Sequence, residues 1–175
     1  DTRVGLFNDI LLTPLGAAIY AKDEESAEAL LDGGDDPNDV DGNGVNALHV
    51  AAGWRGCRLP LFHRMLGTIQ NVNAGDNGGT TALMRAAAFN HLDMVTALLN
   101  HPGIDVNVRG GLSNMTALHY AVSNNHPAMV AQLLRDDRVD TSIKHNYYGT
   151  PLKYAIDWKR HECEKILREH GAPEE

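Results

Sequence analysis

The sequence predicts an all-α solenoid, a stack of five helix–turn–helix units. Two observations carry that expectation: a leucine recurring at a nearly constant interval, and matching apolar pairs that follow each copy. Leu15, Leu48, Leu83, Leu118 and Leu152 are separated by 33, 35, 35 and 34 residues. They lie in the segments Thr13-Pro14-Leu15, Asn46-Ala47-Leu48, Thr81-Ala82-Leu83, Thr116-Ala117-Leu118 and Thr150-Pro151-Leu152. Small pairs come next: Ala17-Ala18, Ala51-Ala52, Ala86-Ala87, Ala121-Val122 and Ala155-Ile156. Longer pairs close each unit: Leu30-Leu31, Met65-Leu66, Leu98-Leu99, Leu133-Leu134 and Ile166-Leu167. Self-similarity with a period of about 20–50 residues marks a repeat architecture.

Each element follows from its residues. Thr can cap the free amides at a helix start, and Pro at the first helical position sacrifices no hydrogen bond. The small pairs let a short first helix approach its neighbour closely. Asn90 and Asn125 tolerate the left-handed conformation that ends a helix. Pro60 and Pro127 fall where second helices begin. Asp41-Gly42-Asn43-Gly44 and Asp76-Asn77-Gly78-Gly79 have the composition of turns. A single helix pair cannot bury its apolar face, so the pairs must stack. The expected single domain spans 1–175, with repeats at about 8–40, 41–75, 76–109, 110–144 and 145–173 and an N-terminal cap at 1–7. Two extra residues around Gly53-Trp54-Arg55-Gly56-Cys57 should enlarge the turn inside the second unit. Ile10, Leu11 and Leu12 are apolar where other fingers are polar, and Val4, Leu6 and Phe7 precede them; either the N-terminal segment folds over this finger as a cap, the preferred reading, or a missing upstream repeat once covered it.

Over about residues 8–173 the sequence resembles the ankyrin-repeat family. The matching pieces are Asn46-Ala47-Leu48-His49, His91, Thr116-Ala117-Leu118-His119, His126 and Gly171-Ala172. Gly16 and Lys153 depart from the family's His, as end repeats do. The resemblance implies L-shaped helix pairs joined by β-hairpin fingers, a concave partner-binding surface and no catalysis. It also implies structural roles for His49 and His119 at first-helix starts and for His91 and His126 at the turns into second helices. His101, His170 and His145 fall in loops. His63 and His161 lie outside these slots and pair with nothing recognisable. Leu99 followed by Asp105-Val106-Asn107 resembles the preferred target of the asparaginyl hydroxylase of animal ankyrin repeats, which makes Asn107 a candidate modification site. The same asparagine is also expected to bond the hairpin backbone, and both roles can hold.

Composition narrows the function classes. Net charge is -8, with 11 acids against two bases (Arg3 and Lys22) in residues 1–45. No basic footprint for nucleic acid or an anionic membrane is present, and any charge-driven partner would be cationic and bind near the N-terminal end. No Gly-x-Ser-x-Gly, Gly-rich phosphate loop or His-Glu-x-x-His occurs. Asp39-x-Asp41-x-Asn43-Gly44 imitates half of a calcium loop, but Val50 stands where the bidentate Glu is needed. Asn114-Met115-Thr116 fits a glycosylation sequon, yet Thr116 is expected to cap a helix. No metal or cofactor is expected. Cys57 and Cys163 read as reduced thiols, which with the absence of a signal segment favours a cytoplasmic setting. The opening Asp1-Thr2-Arg3, without an initiator Met, is expected of a segment excised from a larger protein.

In the family the first helices and finger tips face the concave groove. Trp54, Phe89 and Trp158 each occupy the second place after their unit's small pair, with Tyr20 one residue earlier in the first unit. Tyr120 and Tyr154 share a row with Arg85, and the last finger adds Tyr147 and Tyr148. The expected partner-binding set is therefore Tyr20, Trp54, Arg85, Phe89, Tyr147, Tyr148 and Trp158. Aromatic residues and Arg bury much area while freezing few rotamers. The competing reading packs these rings between helices as local core, most strongly for Tyr120 and Tyr154. A monomeric module for a protein or peptide partner is expected; the alternative is a regulatory or targeting segment of a larger protein, such as a ligase adaptor, a channel or a secreted bacterial effector.

Overall fold

In a computed structural model, residues 6–7, 10–53, 57–111 and 113–175 are described. A short antiparallel pair, β1 (Leu6–Phe7) with β2 (Ile10–Leu11), precedes the helices. Five helix pairs follow: α1 (Pro14–Ala21) with α2 (Glu24–Asp32), α3 (Ala47–Ala51) with α4 (Leu59–Leu66), α5 (Ala82–Ala88) with α6 (Leu92–Leu99), α7 (Ala117–Ser123) with α8 (Pro127–Leu133), and α9 (Pro151–Asp157) with α10 (His161–Glu169). The later fingers close through single bridges, Gly75 to Thr81, Gly110 to Met115 and His145 to Gly149. The expected all-α repeat solenoid is thus the observed one. Most of the expected cap at 1–7 lies outside the described residues.

Helices of five to nine residues are marginal alone and must be held by caps and packing. Thr13, Asn46, Thr81, Thr116 and Thr150 each accept a hydrogen bond from the amide three residues on. These residues place five first helices in one register. Lys22, Asn90, Asn125 and Lys159 end their first helices with φ between 54° and 61°. The second unit is the exception in length, since α3 stops at Ala51 and α4 starts only at Leu59.

First helices stack in chain order from α1 to α9, and α4, α6, α8 and α10 form a second layer behind them. Between the layers lie the repeated apolar positions. Leu15, Leu48, Leu83, Leu118 and Leu152 are all buried, as are Phe62, Val95 and Val130. The second helices α2 and α4 are also bridged by charge: Arg58 meets Glu24 at 3.0 Å, and Arg64 joins both Glu28 and Asp32. Three acids of the N-terminal excess are thereby engaged within the fold.

Candidate partner-binding surface

Fingers two to five form a continuous row. The Asn77 amide donates to the Asn43 carbonyl at 2.8 Å, Gly111 to Gly78 at 2.7 Å, and Asn146 to Ser113 at 3.0 Å. Within a finger, the Asp41 carboxylate accepts the amides of Asn43 and Val45, and Asp76 does the same for Gly78 and Thr80. In the last finger His145 takes this place, and its Nδ1 accepts the amides of Tyr147 and Tyr148. Burial lowers the His145 pKa, keeping the ring neutral and able to accept.

The other histidines join neighbouring units. His49 Nε2 reaches the Ala74 carbonyl at 2.9 Å and His119 Nε2 reaches that of Gly149 at 3.3 Å, each bonding the finger of the next unit. His91 and His126 reach backwards to the carbonyls of Gly53 and Ala88, at 2.7 and 3.0 Å. For His119, the Thr116 hydroxyl donates to Nδ1 at 2.9 Å, which leaves the proton on Nε2. Burial pushes this imidazole down to about 4, so it stays neutral at ordinary pH. At His49 and His119 the imidazole is a two-sided hydrogen-bonding strut between its own helix cap and the next finger.

The last finger and last helix pair bring aromatic rings together. Tyr154 and Trp158 stack with centroids 5.8 Å apart and planes 17° apart. Tyr148 stands edge-on to both, 5.2 Å from Tyr154 and 5.8 Å from Trp158. The His145 ring packs beneath, 5.0 Å from Tyr148. Tyr147, Tyr148 and Trp158 remain 77%, 39% and 48% exposed, whereas Tyr154 is half-buried against the core. Edge-to-face and stacked pairs hold such rings rigid before anything binds. The spacing leaves no room between them for an inserted cation, so what the cluster offers is an outward aromatic face.

A family model described as ankyrin repeats (3 copies) matches residues 15–110 and 108–174. The chain belongs to the ankyrin-repeat family. Among curated relatives, the human photoreceptor ankyrin repeat protein is 39% identical over 101 residues, covering 53% of this chain and 22% of that protein. The chicken nuclear factor NF-kappa-B p105 subunit is 29% identical over 116 residues, covering 65% of this chain and 12% of that protein. The chain therefore spans less than a quarter of either relative. Ankyrin repeats are in general protein–protein interaction modules, and the family is typically non-catalytic.

The remaining candidates occupy varied places in the ankyrin array. Phe89 and Trp158 are the C-caps of α5 and α9, equivalent positions, and Phe89 is 43% exposed. Asn124 is their counterpart in α7. Trp54 lies outside the described residues. Tyr20 is half-buried near the end of α1. Arg85 is drawn into its own finger, where it meets the Asp76 carboxylate at 2.6 Å. Burial alone would raise the Asp76 carboxyl, but the Thr80 amide and the Arg85 guanidinium outweigh it and hold the pKa below the ordinary value. Arg85 therefore shapes finger three and is less available than its row in the sequence implies. Asn107 donates to the Arg138 carbonyl at 2.7 Å and accepts the Asp140 amide at 2.8 Å. Asn73 bridges Gly103 and Asp105 identically.

Sequence reasoning missed His145 as part of the surface. The signal was there, because register places it level with Asp41 and Asp76. Among the described residues no cluster of metal-ligating side chains occurs, and no helix is long and apolar enough to cross a membrane.

Proposed function

We propose that this ankyrin array binds one protein or peptide partner through its last finger and the groove-facing ends of its first helices. The observation that carries the reading is the exposed, mutually braced set Tyr147, Tyr148 and Trp158. Interfaces concentrate their energy in aromatic anchors that lose little rotamer freedom on binding, and these rings are already held by one another. Phe89, at the position equivalent to Trp158, extends the same surface two units away, and Trp54 and Tyr20 belong to the same reading. The deciding experiment compares wild type with a Trp54→Ala/Phe89→Ala/Trp158→Ala variant in pull-downs from native lysate, after circular dichroism shows both folded. Loss of a specific partner in the folded variant supports the surface. Retention of that partner rejects it and turns attention to the acidic N-terminal fingers.

A second reading, a regulatory or targeting segment of a larger protein, is favoured by the small share of its relatives that this chain covers. An immunoblot of source tissue showing one species far heavier than 19.0 kDa supports it; a species of that mass alone rejects it. Modification of Asn107 stays part of the proposal. Its side-chain amide is tied to two backbone groups, so a hydroxylase needs this loop opened first. Peptide mass analysis of native protein showing only unmodified Asn107 rejects it.

A further inference from the structure

The last finger is closed by a group whose ordinary titration range lies near neutral pH. In the second and third fingers a carboxylate accepts two tip amides, Asp41 those of Asn43 and Val45 and Asp76 those of Gly78 and Thr80. In the last finger Nδ1 of His145 accepts both, from Tyr147 at 2.9 Å and from Tyr148 at 3.2 Å. We infer that His145 is an acid-released latch: protonation of its ring frees the finger tip and takes the exposed aromatic face apart. Its part in binding rests on that face carrying the partner; the release itself does not. Tyr148 is central to the effect. Its amide is one of the two released, and its ring stands edge-on to Tyr154 and Trp158, so opening the tip withdraws it from both.

The chemistry follows from one nitrogen. Neutral imidazole that accepts at Nδ1 carries its proton on Nε2. A second proton, at Nδ1, turns the shared acceptor into a donor aimed at two amide hydrogens, so both bonds are lost together. The residue is only 6% exposed, so the new charge must also leave water. Little that faces it compensates. From α7 comes the His119 ring at 6.1 Å, which burial keeps neutral down to about 4. From α9 comes Tyr154 at 6.1 Å, a phenol whose pKa burial raises, and Lys153 of that helix is already paired with Asp157 at 2.8 Å. Its own finger supplies Tyr147 at 5.8 Å and Tyr148 at 5.0 Å, and the preceding residue, exposed Lys144, is a like charge. Finger four meets the tip through the uncharged Ser113 carbonyl. Ring faces attract a cation, but burial outweighs them, because the His145 pKa lies below its ordinary value. Among the described residues no carboxylate offsets the charge.

The test follows single amides by NMR at pH 7.5 and 5. Exchange protection of the Tyr147 and Tyr148 amides, corrected for the pH dependence of an unstructured amide, should fall by about tenfold or more on acidification. The Gly78 and Thr80 amides, held by the Asp76 carboxylate, should keep theirs. Contacts between the Tyr148 and Trp158 rings should weaken over the same range. His145→Asp should remove the response, since a carboxylate accepts at both pH values. His145→Asn, an acceptor that does not titrate, should do the same and covers a failure of the aspartate variant to fold. Protection retained by the wild type at pH 5 overturns the latch, and so does an equal loss in both variants. Equal loss at all four amides also overturns it, because the whole chain is then opening. In lysate pull-downs, a partner held equally at both pH values overturns the part in binding. Failure of the aromatic surface itself shows separately, at pH 7.5 alone, in the Trp54→Ala/Phe89→Ala/Trp158→Ala variant.

Discussion

Nδ1 of His145 accepts the amide of Tyr147 at 2.9 Å, so an imidazole closes the finger that carries the exposed rings. Carboxylates do this in fingers two and three, and the Asp76 carboxyl is held below its ordinary pKa by the Thr80 amide and the Arg85 guanidinium despite its burial. An imidazole stops accepting once protonated. His49, His119 and His145 all have pKa values lowered from 6.5, chiefly by burial. The unfolded chain therefore takes up protons first as pH falls. Stability is full above about 6.5 and declines below it, with the His119 share spread between 6.5 and about 4. That share amounts to about 3 kcal/mol at most. Urea titrations at pH 7.5 and 5 should show the loss, and His119→Gln should flatten part of it; equal stability at both values would sink the idea.

Trp158 and Phe89 occupy equivalent positions but have different neighbours. Trp158 stacks on Tyr154 and receives the edge of Tyr148. Trp158→Ala should cost about 1 kcal/mol beyond its area, and Phe89→Ala should stay within about 0.5 kcal/mol. Chemical denaturation of the two variants decides this, and equal costs would mean that the cluster does not brace itself.

Gly110 packs against the neighbouring finger. A Cβ there would lie 2.1 Å from the Gly79 carbonyl oxygen and 2.8 Å from the Met84 sulfur. Because backbone has to move, Gly110→Ala should destabilise by about 1–3 kcal/mol. Gly103 is the control, since its Cβ would make ordinary contacts with the His101 ring at 3.5 Å and Val72 at 4.0 Å. A thermal melt in which both variants match wild type would show the fingers to be loosely packed.

Both thiols should be sluggish. Burial raises Cys57 to about 12 and Cys163 to about 11, so little thiolate exists at pH 8. Alkylation by iodoacetamide should be much slower in the native protein than in urea, as followed by intact mass; fast native labelling at either site would contradict the burial.

Much of the fold was legible because the repeat is local. Caps, leucine spacing and the two extra residues of the second unit all sit within one period, and each places an element unaided. The candidate surface was less legible. The row containing Arg85 looked like recognition chemistry, but the partner that claims it, Asp76, lies nine residues away across a turn. Tyr154 reads from the sequence as local core more than as binding surface, and packing places it half-buried and stacked on Trp158.

The finger row is joined by main-chain atoms: Asn43 to Asn77, Gly78 to Gly111, Ser113 to Asn146. Most residue types but proline bring the same amide and carbonyl to such a link, although the positive φ of Gly111 favours glycine there. Tip side chains can therefore drift from one descendant gene to the next while the row stays in place. The links that hold one finger to the next are thus carried by main-chain atoms, apart from the side chains that shape each finger.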